Sequence, residues 1–408
     1  MKLMFAKFQG KHIERNQVIS SSLLFNTLSW YILGQSIVTK IRDSFGEGGQ
    51  ESLVLGLIFA VFLIVSAIFS SVFLIKSRRK PLFSVWVIFG ILTSISSAIS
   101  VGSSLFVNIV IISLLGVSTG IGLPSCLSYF AESISRENRG KAGGIIFFVT
   151  FFSAAIALVL ISDLDFLYGA TILAIWRGWT LPLLFFVSEK RLPSDKTSQM
   201  TPSLISILRD RNFVLYFIAW LMFAFVNSFE CVVVGHTIGE YRFFIKIVEP
   251  AVASFSALAA GVLSDWVGRK RVLIFGFVSL GMAYAIIGLL AQSWFSWLFY
   301  FVMDGIAIGS LWVLFVIVLW GDLSRNGSEK FYAVGGAPFF LTELFSLLLA
   351  PYLSLIPESS AFSLAAFFLF LAVLPLLYAR ETLPEKKIKE RELKLYIEKA
   401  KKVKEKYA

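Results

Sequence analysis

Two sets of residues in this chain could do chemistry. The first is the stretch Gly261-Val262-Leu263-Ser264-Asp265-Trp266-Val267-Gly268-Arg269-Lys270-Arg271, between two apolar segments each long enough to cross a bilayer. Gly261 lets two helices approach closely, and Gly268 permits a tight turn that a β-carbon would strain. Asp265 falls at the end of an apolar segment, where a carboxylate can accept the exposed N–H groups at the start of a neighbouring helix. The second set is ionisable groups inside apolar segments: Arg177, Asp304 and Glu343, with Glu230 and Glu249 nearer segment ends. A charge at bilayer depth costs on the order of a few kcal/mol, so such a group faces a polar cavity or a partner. A carboxyl group there can exchange a proton, and a guanidinium can bind an anion. The blander alternatives are a structural ion pair of Asp304 with Arg177, a backbone contact, or, for Glu230 and Glu249, simple access to water.

The elements that must position these residues are membrane helices. The chain is 57% hydrophobic and only 15% charged; soluble domains run nearer about a quarter charged. The charges crowd into short segments. Between them lie apolar runs of roughly 20 residues, the length a helix needs to cross about 30 Å of hydrocarbon, and these runs are apolar all round rather than amphipathic. Twelve spans are expected, at 18–38, 52–75, 82–101, 105–130, 142–161, 167–188, 213–234, 244–263, 272–291, 297–320, 332–355 and 360–379. An even number puts both termini on one side. Nearly all of the 37 Lys and Arg then fall on that side, the opposite loops holding only Lys40, Arg42, Arg242 and Lys246. The positive-inside rule assigns the crowded side to the cytoplasm. This sidedness, rather than a surface for nucleic acid, accounts for the net charge of +11. Lys2, Lys7, Lys11 and Arg15 precede the first span without an export-type cleavage pattern, and a multi-pass protein of the plasma membrane is expected. Cys126 and Cys231 lie in spans and read as packing residues.

The sequence repeats itself at a lag of about 191 residues. Ser70 to Arg79 precedes the third span as Gly261 to Lys270 precedes the ninth. Gly143-Gly144 opens the fifth span, and Gly335-Gly336 the eleventh. Gly116 and Gly120 lie in the fourth span, Gly305 and Gly309 in the tenth. Glu189-x-x-Leu192-Pro193 follows the sixth span, and Glu381-x-Leu383-Pro384 the twelfth. The expected organisation is a cytoplasmic N-terminus (1–17), a six-helix bundle (18–188), a polar linker (189–212) in which residues 204–209 could form a short surface helix, a second bundle (213–380) and a basic tail (381–408).

The stretch Gly261-x-x-x-Asp265-x-x-Gly268-Arg269-Lys270-Arg271 resembles the loop signature of the major facilitator superfamily. Glu132-x6-Arg139-Gly140 looks like the loop of its sugar-porter branch and of general substrate transporters. The resemblance spans nearly all of residues 18–384. It implies an all-α fold of twelve transmembrane helices in two six-helix pseudo-repeats, with the substrate between them. It also implies that Asp265 reaches the start of the fifth span, at Lys141-Ala142-Gly143-Gly144, and holds the cytoplasmic side closed. Glu132 would pair with Arg78 or Arg79, and Asp322 with Arg269; Asp322 and Lys330 form the degenerate counterpart of the Glu132–Arg139 loop. Family architecture lines the central cavity with the first, fourth, seventh and tenth spans, which raises Asn26, Gln35, Asn227, Glu230 and Asp304 as substrate or proton ligands, beside Arg177 and Glu343. The first half departs from the signature: Ser70 and Ser77 replace the glycines and Leu74 the acid. One acid-based gate contact is expected, not two. The seventh span lacks the glutamine pair of sugar porters, and the first lacks the aspartate of proton-coupled sugar carriers, which argues against a sugar.

Other signals fall away. Gly116-x-Ser118-x-Gly120 matches a nucleophile elbow, but that motif needs a strand-turn-helix setting and a nearby histidine, and His12 and His236 are the only histidines. No phosphate-binding loop sequence and no metal-ligand cluster occurs. The expectation is a monomeric secondary active transporter, not an enzyme, that moves a small solute together with protons by alternating access and needs no cofactor or metal. An uncoupled facilitator, or a transport-dead membrane sensor or scaffold, are the alternatives; intact Asp265 and Glu132 favour a protein that moves.

Overall fold

The computed structural model describes the chain except residues 1, 47–48, 75–78, 101, 163–164, 188–201, 244–246, 325–327, 354–355, 384–392, 394–396 and 398–408. Within helices, the side chains of 2–13, 158–162, 231, 234–243, 343, 350–351 and 353 lie outside the description as well. The fold is all helical. Twelve helices carry it: α1 (Lys2–Asp43), α2 (Gln50–Phe69), α3 (Arg79–Ser96), α4 (Leu105–Ser133), α5 (Arg139–Ser162), α6 (Phe166–Gly178), α7 (Arg211–Phe243), α8 (Glu249–Val267), α9 (Arg269–Leu290), α10 (Trp294–Trp312), α11 (Ala337–Leu353) and α12 (Glu358–Tyr378). Among the described residues, ten helices are long and apolar enough to cross a membrane. The other two are α1, whose expected span carries Ser20, Ser21, Ser22, Asn26, Thr27, Ser29 and Gln35, and α6, which is interrupted.

The interruptions follow from proline and glycine. The expected sixth span stops at Gly178, turns, and resumes as the single turn Leu181–Leu184. Pro182 has no N–H to give the Gly178 carbonyl, and it suits the first turn of the new segment. The expected eleventh span divides in the same way. A helix Ser328–Gly335 precedes α11, and Pro338 cannot bond back to Val334. At the break, Gly336 N–H donates to the Tyr332 carbonyl at 2.9 Å. α10 continues through wide π-helical turns at Val313–Val318 to Leu319–Leu323.

The repeat is visible in the packing. In the first half α4 lies on α2, and in the second α10 lies on α8. A β-carbon on Gly116 would come 2.8 Å from the Phe59 carbonyl of α2. One on Gly305 would come equally close, 2.8 Å, to the Glu249 carbonyl of α8. Gly120 and Gly309, one turn further along, abut the Leu63 and Ala253 carbonyls. Small residues permit such close crossings where lipid offers no hydrophobic drive for helix association. Among the described residues the two halves meet with α5 against α8, α2 against α11, and α4 against the helix Ser328–Gly335.

Candidate functional site

The α5–α8 seam ends in a buried ionic clasp. Gly261 of α8 sits against the Gly140 and Gly144 backbone of α5, with no room for a side chain on either helix. That proximity brings Asp265 onto the first turn of α5. Its carboxylate accepts the Gly140 N–H at 3.0 Å and the Lys141 N–H at 2.6 Å. These are unpaired donors at a helix start, where the dipole favours negative charge. Gly268, at φ 105°, then turns the chain into α9. This returns Arg269 beneath Asp265, at 2.5 Å.

Arg269 is fully buried and its donor fork is used on every arm. Nε reaches Asp322 at 3.2 Å, Nη1 reaches Ser264 at 3.1 Å as well as Asp265, and Nη2 reaches the Arg136 carbonyl at 2.6 Å. Asp322, 4% exposed, also takes Arg139 Nη1 at 2.5 Å. Arg136 donates to the Ser324 carbonyl at 2.9 Å. Beside this core, Arg79 donates to Glu132 at 2.7 Å while its guanidinium lies 4.6 Å from the Tyr129 ring centre. Ser128 donates to Glu132 at 2.9 Å and touches Ser328 of the other half at 2.5 Å. A hydroxyl has one proton to give, so Ser328 is the donor to Ser128. Arg78 lies outside the described residues. Lys330 does not join the clasp; its ammonium donates to the Pro202 carbonyl at 2.9 Å, beside the helix Leu204–Arg209 whose start is capped by Ser203.

Sequence reasoning missed Glu381. Its carboxylate accepts the Arg269 and Lys270 N–H groups at 3.0 and 3.1 Å, capping the start of α9. Lys270 Nζ answers by bonding the Leu377 and Ala379 carbonyls at the end of α12. The repeated Glu-Leu-Pro motif was the available signal. Its first copy, at Glu189, lies outside the described residues.

Between the halves is a narrow cavity lined by Thr27, Tyr31, Thr119, Pro124, Tyr332 and Phe340, among others. About 20 Å³ of it is open to the centre of a water molecule, room for one water. The Tyr31 ring packs on Phe339 and Phe340 of α11, centroids 5.5 and 5.7 Å away. Gln35 donates to the Tyr31 hydroxyl at 2.8 Å, so it acts on the cavity through that ring. Asn227 is half-buried on α7, and the Glu343 side chain lies outside the description.

Asn26, expected beside the central cavity, is fully buried in the first bundle and gives its amide to the Trp176 carbonyl at 2.5 Å. Its oxygen takes Arg177 Nη1 at 3.0 Å. Arg177 does not pair with Asp304. It is 1% exposed and lies between Trp86 and Trp30, 4.1 and 5.0 Å from the ring centres, and Thr27, a cavity residue, takes Nη1 at 3.3 Å. The cause is local: α6 lies against α3 and α1, and Gly90 of α3 leaves the space that the guanidinium fills.

The acids of the second bundle gather near its other end. Glu230 does not reach water. It is 9% exposed and accepts hydroxyls from Tyr284, at 2.7 Å, and from Tyr300. Asp304 is fully buried, and among the described residues no N–H or O–H donor serves its oxygens. Glu249, half-buried at the start of α8, is within hydrogen-bonding reach of it.

A two-bundle membrane fold, with a cavity at the interface and a buried polar clasp between the halves, is the architecture of a transporter fold. The chain belongs to the major facilitator superfamily, whose family model matches residues 19–242 and 248–406. Members of that superfamily are transporters rather than enzymes. No curated protein matches the chain in sequence. Among solved structures, the human organic anion transporter MFSD10 superposes with a TM-score of 0.70 at 14% identity, over 89% of this chain and 99% of that one. The proton:xylose symporter XylE gives 0.66 at 13% identity, over 91% and 97%. A bacterial homologue of the iron transporter ferroportin, in an outward-facing state, gives 0.68 at 14% identity, over 88% and 97%. At these identities the likeness is one of fold.

Proposed function

We propose that this protein is a secondary active transporter of a small solute, driven by protons and working by alternating access. The observation that carries this reading is the clasp. Asp265, Arg269, Arg139 and Asp322 are buried at one end of the interface, tie α5 to α8 through hydrogen bonds, and close the cavity on that side. A static interface would be served as well by apolar packing, since buried ion pairs add little net stability over it. Polar contacts that solvent can replace suit a seal that opens.

In this reading the clasp end is cytoplasmic, as the crowding of Lys and Arg argues, and both termini lie there. The solute binds between the bundles of residues 18–188 and 213–380, near Tyr31, Gln35 and Asn227. The linker 189–212 joins the bundles, and 381–408 is a cytoplasmic tail. The protein acts as a monomer in the plasma membrane. Asp304 carries the coupling proton together with Glu249 and Glu230, and Glu343 is a second candidate. The test is uptake into proteoliposomes under an imposed pH gradient, screening sugars, organic acids, amino acids and drugs. Asp304→Asn and Glu343→Gln are expected to abolish gradient-driven uptake while leaving solute exchange. Unchanged gradient-driven uptake in both variants removes these acids from the proton path, and no uptake of any solute by the wild type removes the transport reading.

A further inference from the structure

A second cavity lies outside the interface between the halves. A groove of about 910 Å³ runs along the outer face of α8, bounded by α9 and α10. Its wall on α8 is the stripe Ala251, Phe255, Ala259, Leu263 and Val267, spaced by four so that successive members are neighbours along a ridge that winds slowly around the helix. From Ile247 to Val267 this wall rises about 30 Å at 1.5 Å per residue, the thickness of bilayer hydrocarbon. Ala257 and Gly261 of the same helix pack on α5, and Phe255, at the edge of the groove, meets Phe148 of α5 with ring centroids 5.4 Å apart.

The groove is deep because its floor is made of small residues. Ser256 and Ser310 contribute to it, and both hydroxyls are spent on the Ile306 carbonyl, at 2.8 and 2.7 Å. The floor therefore asks nothing polar of an occupant. The rims are exposed apolar side chains, Phe255 at 64% and Phe275 at 59%. One charged residue lines the groove: Arg271, exposed, at the clasp end.

We propose that this groove is a binding site for an anionic phospholipid, its acyl chain along the α8 stripe and its phosphate against Arg271. The occupant follows from the match: an apolar trough of membrane length with a single cation at one mouth complements an amphiphile with an anionic head. A small aqueous anion has no use for the trough, and a zwitterionic lipid gains less from the cation. The site is independent of the transported solute and of the proton path.

Native mass spectrometry of the purified full chain, given equal phosphatidylglycerol and phosphatidylcholine, tests it. Wild type is expected to retain phosphatidylglycerol by about fivefold over phosphatidylcholine, the attraction of one basic residue. Arg271→Gln is expected to level the two lipids, and Ala259→Phe, which fills the trough, to strip both; size-exclusion elution like wild type confirms that each variant is folded. Excess inorganic phosphate should leave the lipid in place. The proposal is overturned if Arg271→Gln keeps the preference or Ala259→Phe keeps the lipid. It is overturned equally if phosphate displaces the adduct, or if lipid-free dimers appear, which would give the groove to a second copy of the chain.

Discussion

Asp265 accepts the Lys141 backbone N–H at 2.6 Å across the seam between α8 and α5, so a side chain of one bundle caps a helix of the other. The same carboxylate takes Gly140 N–H and Arg269. It therefore serves the α5 helix start and the buried guanidinium together. Asp265→Asn keeps the size but turns one acceptor into a donor facing another donor. Losing a buried hydrogen bond to a charged group costs about 2 kcal/mol, or roughly thirtyfold in the balance between closed and open clasp. A cysteine at Ser328, 7% exposed in the closed form, is expected to react faster with a water-soluble maleimide in the Asp265→Asn background. Equal rates would mean that the seam is held by something else.

Asp322 divides its two oxygens between Arg139 of the first bundle and Arg269 of the second. Removing Arg139 leaves Asp322 one partner; removing Asp322 leaves two buried guanidinium groups short. Asp322→Asn is expected to lower apparent thermal stability more than Arg139→Gln, by about 3 kcal/mol against about 1 to 2. The double variant should cost clearly less than the sum, because the residues share one network. Additive losses would show that the two pairs act separately.

The fold was legible because it rests on composition: apolar length, charge placement and a repeat at fixed lag are all one-dimensional. The clasp was legible in part for a related reason, since Asp265, Gly268 and Arg269 are neighbours in sequence and their partner is a helix start. Glu381 was not, because capping α9 requires knowing that α12 ends beside it. Nor was the orientation of Asn26. Its helix was expected, but which face of that helix turns inward depends on the neighbour, here Trp176 and Arg177 of α6. The cavity residues Thr27 and Tyr31 went unremarked because threonine and tyrosine in an apolar helix carry no distinguishing spacing.

The α5–α8 crossing yields a sharper test of packing. A β-carbon on Gly144 would stand 2.6 Å from the Ala257 carbonyl, a backbone atom that cannot swing aside. Gly34, in α1, has nothing within 4 Å of the same position. Gly144→Val is expected to cost at least about 2 kcal/mol through forced backbone separation. It should also loosen the clasp, seen as faster labelling at the Ser328 cysteine. Gly34→Ala should be neutral or stabilise by up to about 1 kcal/mol, since alanine loses less backbone freedom in a helix. Similar losses from both would mean that glycine is tolerated here rather than required.

Arg177 poses the opposite problem, a buried cation whose contacts are two indole faces and neutral oxygens. Trp86 and Trp30 hold the guanidinium at 4.1 and 5.0 Å, and Asn26 and Thr27 take one of its nitrogens. Desolvated cation–π contacts are worth about 2 kcal/mol each, and they depend on the flat, weakly hydrated guanidinium. Lysine keeps the charge but not the stacking, so Arg177→Lys is expected to destabilise despite its conservative look. Methionine gives up both, yet it fills similar space and removes the cost of burying a charge, so Arg177→Met should be the milder change. Thermal unfolding of the purified variants checks the order, and solute uptake checks the role. If Arg177→Met folds and transports as wild type does, the arginine is a packing device of the first bundle. If it folds but loses uptake of an anionic solute, the positive charge behind Thr27 is felt in the cavity.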